Sequence, residues 1–115
     1  MNVQMKTRPS LGDSRLAERL RRETRGEVLF GAADRGRYAT DASIYQIEPY
    51  GVLVPRSIED VQAAMTLCRE EGIPVLARGG GTSQCGQTVN RALVLDCTKY
   101  LRGVVEVDAG ARRVR

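Results

Sequence analysis

One stretch limits the possible folds more than any other: an apolar run, a capped helix and a second apolar run follow one another between residues 51 and 78. Val52-Leu53-Val54 is a compact apolar segment closed by Pro55, which suits a buried strand. Ser57 stands where a helix N-cap belongs, and the acidic Glu59 and Asp60 lie near the positive helix end. Ile58, Val61, Ala64, Met65 and Cys68 recur at helical spacing and predict the buried face, and Gly72 supplies the stop. Pro74-Val75-Leu76-Ala77 reads as a second short strand. Strand, helix and strand at this spacing form a βαβ unit, so the two strands are expected to run parallel. Beyond a glycine-rich loop, Ala92-Leu93-Val94-Leu95-Asp96 makes a third strand.

The flanks are less regular. Residues 1 to 9 are polar and expected to be disordered. From Ser10 or Asp13 to about Arg25, Leu11, Leu16, Ala17 and Leu20 recur at helical spacing, and Gly26 ends the helix. Glu27 to Phe30 reads as a short strand, and residues 31 to 50 as loop with one helical turn. At the far end Val104, Val105 and Val107 alternate before a turn at Asp108 to Gly110, and the chain stops in the return strand, so it is expected to be truncated. Its 115 residues hold one small domain, and with 4% aromatics and no Trp the core must rest on Val, Leu, Ile and Ala.

The formal charge of +4 comes mainly from Arg. Much of the excess precedes residue 26: Lys6, Arg8, Arg15, Arg19, Arg21, Arg22 and Arg25 against Asp13, Glu18 and Glu23. No aromatic is interleaved to stack on bases, so a solvated helix face is expected and nucleic acid is not. Cys68, Cys85 and Cys97 match no zinc, redox or iron–sulfur spacing, and the chain has no His, so no metal site is expected. The scattered, odd set suits a reducing compartment, and no run reaches signal-peptide or membrane-span length; a cytoplasmic protein is expected.

The chemistry concentrates in Arg78-Gly79-Gly80-Gly81-Thr82-Ser83-Gln84-Cys85-Gly86-Gln87-Thr88, directly after a strand. Its four glycines let main-chain N–H groups turn inward and approach an anion closely. Thr82, Ser83 and Thr88 add hydroxyls, and Arg78 adds charge. A P-loop is excluded because no Lys follows the glycines, and the GxGxxG fingerprint fails at Gln84. Composition alone leaves a tightly turned loop without any ligand equally open.

The run Pro74 to Ser83, with Gly86 and Leu93-Val94-Leu95-Asp96, resembles the first pyrophosphate loop of the FAD-linked oxidases, the vanillyl-alcohol-oxidase or PCMH-type flavin family. Val54-Pro55-Arg56-Ser57-Ile58-Glu59-Asp60-Val61 is similar to that family's strand–proline–helix opening. Arg37-Tyr38-Ala39-Thr40-Asp41-Ala42-Ser43 and Ile47-Glu48-Pro49 resemble bacterial D-lactate or D-2-hydroxyacid dehydrogenases of the glycolate-oxidase-subunit type. The resemblance implies an α+β fold: the first subdomain of a PCMH-type FAD-binding domain, with a small parallel sheet, flanking helices and the start of a second sheet. It divides the chain into a basic helix and short strand at 1–34 and a truncated FAD-binding domain at 35–115.

Carried over by position, the resemblance places the FAD diphosphate on Arg78, Gly79, Gly80, Gly81, Thr82 and Ser83, with Gly86 and Gln87 closing the loop and Val54 and Pro55 lining the adenine end. Thr82 stands where relatives with covalent flavin carry His, so FAD is expected to be non-covalent. The Tyr38 and Asp41 segment is assigned to packing. In such enzymes a 2-hydroxy acid loses a hydride to flavin; the flavin-ring pocket and catalytic base come from parts outside these residues, so no catalytic residue is named. The chain alone is expected to be inactive and to self-associate through its C-terminal strands. The alternatives are a stand-alone phosphate-ligand or interaction module and, on charge alone, a nucleic-acid binder.

Overall fold

The computed structural model describes residues 8–115. Lys6 and most of the segment expected to be disordered lie outside them. The elements in chain order are α1 (Ser14–Glu23), β1 (Glu27–Leu29), α2 (Ala32–Arg37), β2 (Gly51–Val54), α3 (Ile58–Glu71), β3 (Val75–Arg78), β4 (Leu93–Asp96), β5 (Val107–Asp108) and β6 (Arg113–Val114).

Four strands form one sheet in the order β1-β2-β4-β3, and β5 and β6 form a separate antiparallel pair. The strands on either side of α3 run parallel, as expected of a βαβ crossover, but they do not touch. β4 lies between them and bonds to both, with Val52 opposite Val94 and Val94 opposite Leu76. β1 adds an antiparallel edge on β2. The register aligns the carboxyl ends of β2, β3 and β4 along one rim, where Arg78 pairs with Asp96.

Alternation along the strands divides the core in two. Leu53, Leu93 and Leu95 point to the face covered by Leu16 and Leu20 of α1 and Ala64, Leu67 and Cys68 of α3. Val52, Val54 and Val94 point to the other face, against Leu29, Tyr38, Leu76 and Tyr100. Both strand faces are therefore closed, which accounts for the unbroken apolar runs of β2 and β4. Among the described residues, no helix is long and apolar enough to cross a membrane.

Local signals set the helix ends. The Asp13 carboxylate caps α1 by accepting the Leu16 N–H at 2.9 Å, and Ser57 caps α3 by accepting the Asp60 N–H at 3.2 Å. Of the basic cluster on α1, Arg19 pairs with Glu23 and, across to α3, with Glu70 and Glu71 at 3.0, 3.1 and 2.7 Å.

The buried face of α3 departs from the periodicity. Ile58 and Met65 are 59% and 48% exposed, whereas Leu67 and Asp60 are buried. At 3.6 residues per turn the true face is centred on Ala64, about 60° round the helix from the one expected. The displacement has a polar cause. Asp60 turns inward and accepts hydrogen bonds from the main-chain N–H groups of Arg25 and Arg56, each at 2.9 Å. It thereby joins the lead into β1 to the turn after β2. Replacing Asp60 with Ala leaves two amides without their acceptor and should cost about 1–3 kcal/mol. Glu59→Ala, at an exposed position of the same turn, should cost far less. Urea unfolding of the two variants checks this, and equal midpoints would contradict the role given to Asp60.

Candidate functional site

The rim where the parallel strands end is the natural ligand position in an open α/β sheet, because crossovers leave a crevice there. β3 runs off this rim at Arg78 into the glycine loop, and Gly79, Gly80, Thr82, Gln84, Cys85 and Gln87 are all exposed. The loop is an open shelf. Two concavities lie elsewhere, one beside α1 lined by Arg8, Arg19 and Glu71, another at the start of α3 lined by Arg25, Arg56 and Ser57.

The glycines of this shelf differ in what requires them. Gly81 sits at φ +67°, and a Cβ there would overlap the Arg78 guanidinium; Gly86 sits at φ +76° with the Tyr45 ring 2.6 Å from where its Cβ would stand. The fold itself accounts for both. Gly79 and Gly80 are different. Neither has a positive φ; among the described residues nothing lies within 4 Å of a Cβ at Gly79, and only Thr82 Cγ2, at 3.6 Å, lies near one at Gly80. Two adjacent residues thus present bare backbone to open space without any need of the chain's own packing. That is what close approach of an anion such as a diphosphate requires.

Other members of the loop are occupied within the fold. The Ser83 hydroxyl accepts the N–H groups of Cys85 and Gln87 at 3.2 and 3.4 Å and donates to Gln87 Oε1 at 3.3 Å. Arg78, expected to lend its charge to an anion, donates its guanidinium N–H groups to the carbonyls of Thr88, Thr40 and Tyr38 at 3.0, 2.8 and 3.4 Å. Val54 and Pro55 end β2 on the same rim but are buried, Val54 within the second core cluster beside Tyr100.

Two carboxylates complete the surroundings. Asp41 accepts the Ser43 N–H at 2.8 Å and, through its other oxygen, the Thr88 hydroxyl at 2.9 Å and the Thr88 N–H at 3.4 Å. These bonds, first from Ser43 and then from Thr88, pull its pKa down to about 2. Asp96 at the end of β4 accepts the Thr98 N–H and hydroxyl at 2.9 and 2.6 Å and the Tyr38 hydroxyl. Burial would raise its pKa, but the hydrogen bonds from Thr98 and Tyr38 outweigh it and hold the carboxyl below the ordinary value. Sequence spacing gives no hint of the Thr88–Asp41 or Tyr38–Asp96 contacts, which join residues 47 and 58 positions apart. Cys85 is exposed in the loop, Cys68 is buried and Cys97 half-buried, all as free thiols. Among the described residues, no group of three or more acidic, Cys or His side chains is placed to hold a metal.

Burial first, and the bond to Asp96 second, raise the Tyr38 pKa to about 12. A raised folded pKa contributes stability fully present below the unfolded value of about 10 and lost as pH climbs through the folded value. Alkaline titration of tyrosinate absorbance should show one ring ionising near pH 12. Asp96→Asn should bring that ionisation down, and an unchanged titration in the variant would contradict the pairing.

Comparison with known proteins gives a consistent picture. A family model described as an FAD binding domain matches residues 49–115. The chain is 37% identical over 93 residues to D-2-hydroxyglutarate dehydrogenase of Pantoea ananatis, covering 78% of this chain and 9% of that protein. It is 34% identical over 88 residues to glycolate oxidase subunit GlcD of Bacillus subtilis, covering 72% of this chain and 18% of that protein. Among solved structures, p-cresol methylhydroxylase with substrate bound superposes with a TM-score of 0.67 at 16% identity, over 84% of this chain and 20% of the other. Wild-type BBE-like 1 of Physcomitrella patens gives 0.58 at 22% identity, over 70% and 18%. The chain thus spans only a small part of the length of the relatives it matches.

Proposed function

The chain belongs to the FAD-binding-domain family matched over residues 49–115, and from that premise we propose that its glycine loop holds the diphosphate of FAD in a dehydrogenase of 2-hydroxy acids. The observation that carries the reading is the pair Gly79 and Gly80, bare toward solvent at the carboxyl rim of three parallel strands. Main-chain N–H groups from Arg78 to Ser83 would meet the diphosphate, Gly86 and Gln87 would close the loop, and Val54 and Pro55 would border the adenine end. When bound, FAD supplies the two-electron acceptor chemistry of such an enzyme. The substrate class follows the relatives, which act on D-2-hydroxyglutarate or are a subunit of glycolate oxidase by name. Residues 35–115 would be the FAD-binding segment and residues 1–34 a helix and strand completing its sheet.

FAD is proposed to be held without a covalent bond. The chain has no His, and the hydroxyl of Thr82 is too poor a nucleophile to replace one. In the full-length protein carrying this segment, Gly80→Val should abolish flavin retention while the fold persists, since a Cβ at that position meets only an ordinary contact. Acid precipitation of the unmodified holoprotein should release all flavin into the supernatant. A yellow Gly80→Val protein with full flavin content would refute the diphosphate assignment; flavin left on a peptide spanning residues 78–88 would refute the non-covalent one.

The isolated 115-residue chain is proposed to lack turnover, because the described residues leave its loop an open shelf. Its β5–β6 pair and the residues leading into it expose Val104, Val105, Val107 and Val114 by 67–79%, a short apolar ribbon with unpaired edges that favours pairing with a second copy. D-lactate and D-2-hydroxyglutarate with added FAD and a dye acceptor should give no reduction, and light scattering should report a mass above the monomer. Robust turnover would overturn the first expectation and a stable monomer the second.

A further inference from the structure

We infer that Asp41 and Arg78 are positioning residues for the glycine loop: together they grip Thr88, where the loop rejoins the fold, and fix the distance between its two ends. The inference rests on the reading of Gly79 and Gly80 as diphosphate contacts. Arg78 is the last residue of β3 and the first of the loop, and its Nη1 donates to the Thr88 carbonyl at 3.0 Å. Thr88 in turn gives its hydroxyl and N–H to Asp41 Oδ2 at 2.9 and 3.4 Å. The Thr40 carbonyl, next to Asp41 in the chain, accepts from Arg78 Nη2 at 2.8 Å and closes the ring. Thus the entry of the loop, its exit and one outside segment are bonded in a circle. Gly81 is shaped to this ring, since a Cβ there would strike the guanidinium.

The ring answers a cost that any glycine-rich ligand loop carries. Glycine loses more backbone freedom on ordering than other residues, and a loop that orders only when its ligand arrives subtracts that cost from affinity. Pinning Thr88 from two sides orders the loop beforehand. The geometry also separates two roles for Arg78 that are easily confused. A charge directed at phosphate would be replaced by Lys. A planar fork holding three carbonyls at once would not, because an ammonium on a flexible stem lacks that geometry.

The test is FAD affinity of the full-length apoprotein, read by quenching of flavin fluorescence, in four variants. Thr88→Val keeps the side-chain shape and removes the hydroxyl donor, and should weaken FAD about three- to tenfold. Asp41→Ala should weaken it by at least as much, with Asp41→Asn, which keeps one acceptor oxygen, recovering part of the loss. Arg78→Lys should weaken it about tenfold or more, as badly as Arg78→Met. Rescue by Arg78→Lys, or wild-type affinity in Thr88→Val and Asp41→Ala, overturns the positioning role. Gly80→Val in the same series keeps the two ideas apart. If it retains flavin, the diphosphate assignment itself fails; if it loses flavin while the Thr88 and Arg78 variants bind normally, the ring alone is wrong.

Discussion

Everything at the candidate site depends on β4 being bonded along both of its edges. β2 and β3 are consecutive in the chain and joined by α3, yet neither touches the other; each takes its parallel partner from β4. One register on each side then brings Val54, Asp96 and Arg78 to the same rim. A slip of one residue on either side would turn Val94 toward the helices and Leu93 and Leu95 away from them, exchanging the two halves of the core. The buried alternation of β4 therefore holds the rim level, and the glycine loop inherits its position from that.

Within the rim, polar groups are divided by what they hold. Asp60 joins the start of β1 to the turn after β2, Asp96 holds Tyr38 and Thr98, and Asp41 holds Thr88 and Ser43. Each carboxylate accepts at least one main-chain N–H, which suits an anion in partly enclosed surroundings. The Tyr38 ring is flanked by the guanidinium groups of Arg37 and Arg78 at 5.4 and 5.2 Å, so the segment beside the loop is fixed by cation–π contact as well as by hydrogen bonds. Gly79 and Gly80 are left as the part of the shelf that none of the described residues fills.

The parts legible in the sequence are those whose cause is local. Ser57 and Gly72 bound α3 as their residue types dictate, and the apolar runs of β2 and β4 follow from burial on both faces. The helical turn expected between residues 31 and 50 is α2, and the hairpin expected at the end is β5–β6. What the sequence did not show was decided at long range. The order of β2, β4 and β3 is a pairing choice that no single strand encodes. The inward turn of Asp60 depends on amides from two other segments, and it moved the buried face of α3 away from Met65. The partners of Arg78 and Asp41 lie up to 47 positions away, so the sequence shows a cation and an anion but not what they hold.

The late arrival of β4 has a consequence for how the chain is made. Residues emerge from a ribosome in order, and when synthesis has reached the glycine loop, β1, β2, α3 and β3 are all available while the strand that must separate β2 from β3 is not. Direct pairing of β2 with β3 at that stage would close the gap β4 needs. A sheet whose central strand is supplied last has non-local contacts at its middle, the kind of topology that folds slowly and leaves unpaired edges exposed to other chains meanwhile. The nascent segment therefore passes through an interval, ending only when Asp96 is free of the exit tunnel, in which the edges of β2 and β3 that β4 will cover are open to a holding chaperone.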